Sequence, residues 1–340
     1  MTTTIRLLVL TALLAAAPAG RPADALDLNN PTGSRGLVLI DKIGRHIRWA
    51  DPATHQPIGD IEVGPAPHDF ALSSDHRTLY VPIYGDGIYG RNPHPGHEIA
   101  VIDLESRRQV GVIDVAPYQA PHGIQIDANG LLYVTCDLSR TLLIVDPRAR
   151  RIEAAIDTEG TGHWLALLPD GSKAYVANKN DRPFISVIDI RARRMVGRIP
   201  APNGTQGIVA SPDGTRVIAV DYAEPQLLVI DPATDALVET IALEGRPRAY
   251  KARYSPDGRL LLVCSAGQGQ VNILDAANLH GRQHVVPVGR DPMGFAFSAD
   301  GRVALVANHG DGSISVIDLR AAKVVETFRG GAGVETLTYY

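Results

Sequence analysis

The chain of 340 residues is 45% hydrophobic and 21% charged, with 33 glycines and 24 prolines, a composition that excludes a disordered or coiled-coil protein and suits a turn-rich globular one. Its net charge of −4, with no basic run to neutralise a phosphate backbone, excludes double-stranded nucleic acid as a default partner. Two cysteines, Cys136 and Cys264, cannot make a disulfide framework.

The chain opens MTTTIRLLVLTALLAAAPAG, one arginine followed by an apolar run and small residues, which is the order of an export signal. Residues 1–25 are therefore read as a signal peptide, cleaved after Ala25 or earlier after Ala19. An uncleaved anchor is the alternative, although the apolar run is short for a membrane span. The mature chain, residues 26–340, is expected to be periplasmic or secreted and to have no transmembrane span.

The rest of the chain is repetitive. Seven alternating apolar strands end in an aspartate: Asp51, Asp103, Asp146, Asp189, Asp231, Asp275 and Asp318. Alternation suits a half-buried strand, and an aspartate before Pro, Ala, Leu or Ile suits a turn whose side chain bonds the backbone ahead, so these carboxylates read as turn caps. Six of the strands are preceded by a second marker, a Pro-Asp-Gly type turn, and equivalent positions Ser73, Asp127, Leu168, Ser211, Ser255 and Ser298 are 54, 41, 43, 44 and 43 residues apart. Each unit holds about four strands, which makes it a propeller blade. The N-terminal unit, residues 36–64, supplies only three, and the C-terminal GVETLTYY supplies a spare. The expected fold is all-β, one domain of seven four-stranded blades, with the C-terminal strand joining the N-terminal blade to close the ring and protect its edges.

The stretches LYVTCDLSRTLLIVDPRARRIEAAID, AYVANKNDRPFISVIDIRARRMVGRI and ALVANHGDGSISVIDLRAAKVVETF resemble the YVTN-repeat β-propellers. That resemblance implies a seven-bladed, exported protein. It leaves function open, because the family includes binding and surface proteins as well as relatives of enzymes.

Function is therefore sought where the repeats depart from one another. Five residues before the second marker stand His68, His122, His163, Gln206, Tyr250 and Met293, and the closing strand contributes Glu335 at the same position. Repeat geometry predicts one ring of seven side chains at a channel mouth, with three histidines side by side. Neutral imidazoles bind zinc, copper or iron and leave a coordination position open, so a divalent transition metal on His68, His122 and His163 is expected, with Glu335 as fourth ligand or general base. The competing readings are histidines bonded only to backbone and water, and a metal-free acid–base site.

Other residues fall on the same face. The second strands end at Asp41, Ile83, Cys136, Asn178, Asp221, Ser265 and Asn308, and are followed by Lys42, Tyr84, Asp137, Lys179, Tyr222, Ala266 and His309. A lysine or tyrosine there suits a substrate carboxylate or phenolate. Tyr250 and Arg253 join Glu335 as candidate catalytic groups, Arg253 being preferred to Lys251 as the channel-facing residue of that strand. Gln206, Met293, Trp164, Lys179, Tyr222, His309 and Tyr84 are candidate substrate contacts. Cys136 is either a soft metal ligand near His122 or a small core residue. Residues 83–98 form an insertion rich in Gly, Pro, Tyr and His, read as a lid or a contact for a protein partner, with His94 or His97 able to reach the site. Two classes of function follow: a metal-dependent enzyme acting on a small molecule by hydrolysis, elimination or oxidation, and a non-catalytic propeller that binds a peptide, glycan, single-stranded nucleic acid or partner protein.

Overall fold

A computed structural model describes residues 34–88, 91–179 and 183–340; the expected signal segment 1–25 lies outside them. Among the described residues 28 strands form seven four-stranded antiparallel sheets. No helix in them is long and apolar enough to cross a membrane. Blade 2 spans residues 71–114, blade 3 121–157, blade 4 162–200, blade 5 205–242, blade 6 249–287 and blade 7 292–329. Blade 1 is composite. Its three N-terminal strands, Leu37–Asp41, His46–Ala50 and Pro57–Glu62, take Val334–Tyr339 as their innermost strand. The register runs Leu37↔Tyr339, Leu39↔Leu337 and Ile40↔Thr336, so the closure expected from the spare C-terminal strand is what the chain adopts.

The core lies between blades rather than in one centre. Tyr133, Leu142, Ile144 and Ile156 of blade 3, for example, pack against Leu165, Ala174, Val176 and Ile188 of blade 4. Inner strands such as Leu132–Cys136 are buried along their whole length because both faces meet a neighbouring blade. The outer strand Lys323–Arg329 alternates between exposed and half-buried residues, as an edge with one packed face should.

All seven strand-ending aspartates cap their turns. Asp51, Asp146, Asp231, Asp275 and Asp318 accept the N–H two residues on, and Asp103 and Asp189 the N–H three on, at 2.7–2.9 Å. These bonds lower the carboxyl pKa of Asp51, Asp103 and Asp146. The second marker is equally regular: the hydroxyls of Ser73, Ser211, Ser255 and Ser298 each donate to the aspartate two residues on at 2.6 Å.

Residues 83–98 are built differently from a loop lid. Strands Thr78–Ile88 and Arg91–Asp103 run on past the neighbouring blades as a paired hairpin, with Gly85↔Pro95, Asp86↔His94 and Ile88↔Arg91 opposite one another.

Deleting residues 334–340 uncovers the edge of Leu37–Asp41 and separates blade 1 from blade 7. We expect that variant to aggregate on expression, whereas Asp146→Ala or Asp231→Ala removes one cap and lowers stability by about 0.5–2 kcal/mol in urea denaturation.

Candidate functional site

The ring of seven side chains is produced by a backbone irregularity repeated in every blade. Pairing of the innermost strand with its neighbour slips between Pro121 and Ile124, between Gly162 and Leu165, between Thr205 and Ile208, between Ala249 and Lys251 and between Pro292 and Gly294. In blade 1 the slip leaves Glu335 unpaired, and in blade 2 pairing lapses between Pro67↔Ile83 and Ala71↔Tyr80. A bulge re-aims the residue it releases. Here it releases His68, His122, His163, Gln206, Tyr250, Met293 and Glu335.

The bulges fit around the ring because alternate blades carry glycine next. A Cβ on Gly123 would stand 2.7 Å from the His163 carbonyl oxygen, and one on Gly207 2.7 Å from the Lys251 Cα. The other four blades carry Asp69, Trp164, Lys251 and Thr336 at that position.

The three histidines form a row. Ring centroids are 3.8 Å apart for His68 and His122, 3.9 Å for His122 and His163, and 6.4 Å for the outer pair. They expose 4%, 1% and 2% of their surface, which decides their charge state. Burial above all, and then the nearby Lys42, Lys179 and Lys251 ammonium groups and the imidazoles themselves, hold all three well below the usual histidine pKa. They are neutral at physiological pH.

Their hydrogen bonds set the tautomers. His122 donates from Nδ1 to the His163 carbonyl at 3.1 Å, which leaves its Nε2 with a lone pair. The same carbonyl accepts the Thr135 hydroxyl at 2.7 Å, and the Gly123 N–H donates to Thr135 Oγ1 at 2.9 Å, so the orientation is braced. Lys42 Nζ donates to His68 Nε2 at 2.8 Å, which puts the His68 hydrogen on Nδ1, 3.7 Å from Glu335 Oε1. Glu335, only 3% exposed, is the hub of the mouth. It receives the Tyr250 hydroxyl at 3.3 Å and lies 3.5 Å from Lys42 Nζ and 3.4 Å from His309 Nδ1. Burial and the Glu335 charge push the Tyr250 phenol well above its ordinary pKa.

Aromatic and charged groups wall this pocket. Trp164 contacts His163 and Tyr250, with centroids 4.3 and 5.1 Å away, and Lys251 Nζ sits 4.8 Å from the indole ring. Tyr84 packs edge-on to His68 and His122 and donates to Asp137 Oδ2 at 2.7 Å. Lys179 Nζ lies 5.3 Å from the Tyr222 ring, with Arg248 on that ring at 4.9 Å. Desolvation first, then Arg248 and Lys42, pull the Lys179 ammonium down to about 8.

Of the residues singled out in the sequence, His68, His122, His163, Glu335, Tyr250, Trp164, Tyr84 and His309 are in mutual contact, and Lys179 and Tyr222 stand at the rim. Gln206 occupies its bulge, is buried and bonds Tyr250; Met293 occupies its bulge, half-buried. Arg253 does line the channel, but deeper, donating to the Phe295 carbonyl at 2.6 Å. The preference for Arg253 over Lys251 is corrected. Residues two apart share a strand face, so Lys251 lines the same space as Arg253, and it pairs with Asp69 at 3.5 Å. Asp69 was missed, although a charge directly after the ring position was the available signal. Cys136 belongs to an apolar cluster between blades, where burial raises its thiol pKa, and both cysteines are free. His97 is exposed and bonded to Asp114 at 2.9 Å, and His94 is exposed on the hairpin. Among the described residues no group of three or more His, Cys, Asp and Glu has its donor atoms gathered to hold a metal ion.

No family model matches the chain, and no curated protein does. Solved structures do match. A Kuenenia stuttgartiensis hydrazine synthase chain aligns with a TM-score of 0.68 and 20% identity over 82% of this chain and 91% of that one. A functionally unknown protein from Desulfotomaculum acetoxidans DSM 771 aligns with a TM-score of 0.72 and 12% identity over 88% and 99%. At these identities the likeness establishes the seven-bladed propeller and nothing finer.

Two outcomes test this geometry. Gly123→Ala drives a methyl into the His163 carbonyl, and we expect a loss of roughly 1–3 kcal/mol in chemical denaturation. Acid should also destabilise the fold. The imidazoles are depressed in the folded chain and titrate near 6.5 once unfolded, so unfolding takes up protons below that pH. Stability then falls with pH by up to about 1.4 kcal/mol per unit for each histidine, and His163→Gln should make the measured slope shallower.

Proposed function

We propose that the channel mouth binds a small anionic molecule and that the neutral histidines do acid–base chemistry on it. The observation that carries this reading is the charge arrangement. Lys42, Lys179 and Lys251 all act on the same row of neutral imidazoles, with Arg248 beside Lys179, in a chain whose net charge is −4. A concave site that concentrates ammonium groups against the sign of the whole chain attracts carboxylates or phosphates. An anion placed beside the row favours the charged form of these imidazoles, so that they accept a proton from it, and Glu335, 3.7 Å from His68 Nδ1 and bonded by the Tyr250 hydroxyl, lies next to them. The seven-bladed likeness to a hydrazine synthase chain is compatible with an enzyme and assigns no reaction.

A second reading is the divalent transition metal, zinc, copper or iron. It is favoured by the His122 arrangement, in which Nδ1–H on a backbone carbonyl leaves Nε2 for a cation, a familiar support for metal-binding histidines. Against it stands Lys42, whose ammonium occupies His68 Nε2. A bound cation would have to displace that ammonium. Metal analysis of untagged protein decides: less than about a tenth of an equivalent after incubation with each metal, in both the wild type and Lys42→Met, removes this reading.

The anion reading is tested by titration calorimetry with small carboxylates and inorganic phosphate. We expect Lys42→Met to weaken binding at least about tenfold, and added salt to weaken it in the wild type. Lys179 is charged below about 8 and loses its proton above, so affinity should fall as pH rises through that value, and should not in Lys179→Met. Equal affinity for neutral analogues overturns the proposal. Binding without turnover of any carboxylate or phosphate ester would leave a non-catalytic receptor, exported if the N-terminal segment acts as a signal, with residues 83–98 available to a protein partner.

A further inference from the structure

Directly behind the histidine ring the channel widens into a chamber of about 450 Å³, lined by the parts of the inner strands that follow the bulges. Asp69, Gln125, Trp164, Lys251, Arg253 and Thr336 are among its polar lining. The ring itself does not line it, and Trp164 and Lys251 are the wall that the two spaces share.

Two groups in this chamber carry donors that no protein atom among the described residues accepts. Arg253 carries five N–H donors, and among the described residues one is accepted, by the Phe295 carbonyl. Among the described residues Asp69 is the carboxylate whose field reaches it, and Asp69 is ion-paired to Lys251 at 3.5 Å. Arg253 is half-buried in the chamber wall, so its remaining donors are open to water or a ligand there, and burial holds its pKa below its ordinary value. The second group is the Trp164 indole. The residue is 4% exposed and its Nε1–H has no hydrogen-bond acceptor. A buried donor with no acceptor is costly, and an oxyanion in the chamber accepts from the indole N–H and the guanidinium at once. Gln125 offers no competing demand, because its Nε2 donates to the Leu165 carbonyl and its Oε1 accepts the Leu167 N–H, each at 2.9 Å.

We propose that this chamber is a second anion site, separate from the mouth, in which Arg253 holds a carboxylate or phosphate group in a forked contact while Lys251 and the Trp164 indole N–H supply further donors. The planar guanidinium suits two parallel N–H···O bonds. The ring of close-packed imidazoles separates this site from the mouth, and the chamber extends from there along the channel to His76 and Tyr339.

Trp164 makes the site readable, since Trp49 is the only other tryptophan. In a Trp49→Phe background, inorganic phosphate and acetate are titrated separately up to about 10 mM while Trp164 emission is followed, enough to saturate a site of millimolar Kd. The two probes distinguish a phosphate from a carboxylate site. The expected result is a saturable shift with one or both, abolished by Arg253→Met and retained in Lys42→Met, which disables the mouth. Should Arg253→Met fail to fold, Arg253→Lys keeps the charge but not the fork and should raise the apparent Kd at least about fivefold. A shift lost in Lys42→Met and kept in Arg253→Met, an unchanged Kd in Arg253→Lys, or no shift with either probe overturns the chamber site. Because the mouth is tested with Lys42 and the chamber with Arg253, either site can fail while the other stands.

Discussion

The pairing of Val334–Tyr339 with Leu37–Asp41 is the contact on which everything else depends. It joins residues nearly the whole chain apart, and without it blade 1 lacks its innermost strand and the ring has two open edges. It also completes the mouth. Glu335 comes from the C-terminal strand, Lys42 follows the first N-terminal strand, and His68 precedes blade 2, so the Lys42–His68–Glu335 contacts exist only in the closed ring. Fold closure and site assembly are one event. The loop-closure entropy is large but grows slowly with length, and apolar contacts among Leu37, Leu39, Leu337 and Leu305 at the seam offset it.

Closure also creates an electrostatic tension. Three imidazoles are held neutral, an ammonium at Lys179 is pulled to about 8, and a phenol at Tyr250 is pushed up, all within one pocket. Each shift is a preference of the site for less charge than water would allow, and each costs stability somewhere in the pH range. A structural plug would gain by replacing these groups with leucine. Clusters of groups displaced from their ordinary titration ranges are what binding and catalytic sites require, which is why the mouth is read as functional rather than as well-filled core.

Much of this was legible in the residues. The seven aspartates and the regular Pro-Asp-Gly markers specify local turns, and local turns set blade number, so the architecture followed from spacing alone. The ring was legible for the same reason: a fixed offset from a marker is a fixed place in each blade. What spacing could not convey was orientation. Alternation puts Lys251 and Arg253 on one face and gives no preference between them, the bulge at Tyr250 re-aims only that side chain, and a bulge has no marker beyond the glycine that follows it in blades 3, 5 and 7. The Lys42 ammonium on His68 was equally hidden, because it joins blade 1 to blade 2 through side chains that the repeat leaves free to vary.

That freedom explains how one symmetric scaffold carries an asymmetric site. Backbone symmetry delivers seven equivalent bulges, and sequence then fills three adjacent ones with histidine and the others with Gln206, Tyr250, Met293 and Glu335. Most of the apolar residues that hold the blades together lie on the strand faces, away from these positions; of the ring residues, Tyr250 packs against two interblade clusters. Trp164, one residue past the ring, is shared more widely. It belongs at once to the interblade cluster, to the wall of the histidine pocket and to the chamber behind it. A ligand at either of the two proposed sites would therefore touch the same indole, and the shared wall with Lys251 is where the two would be coupled.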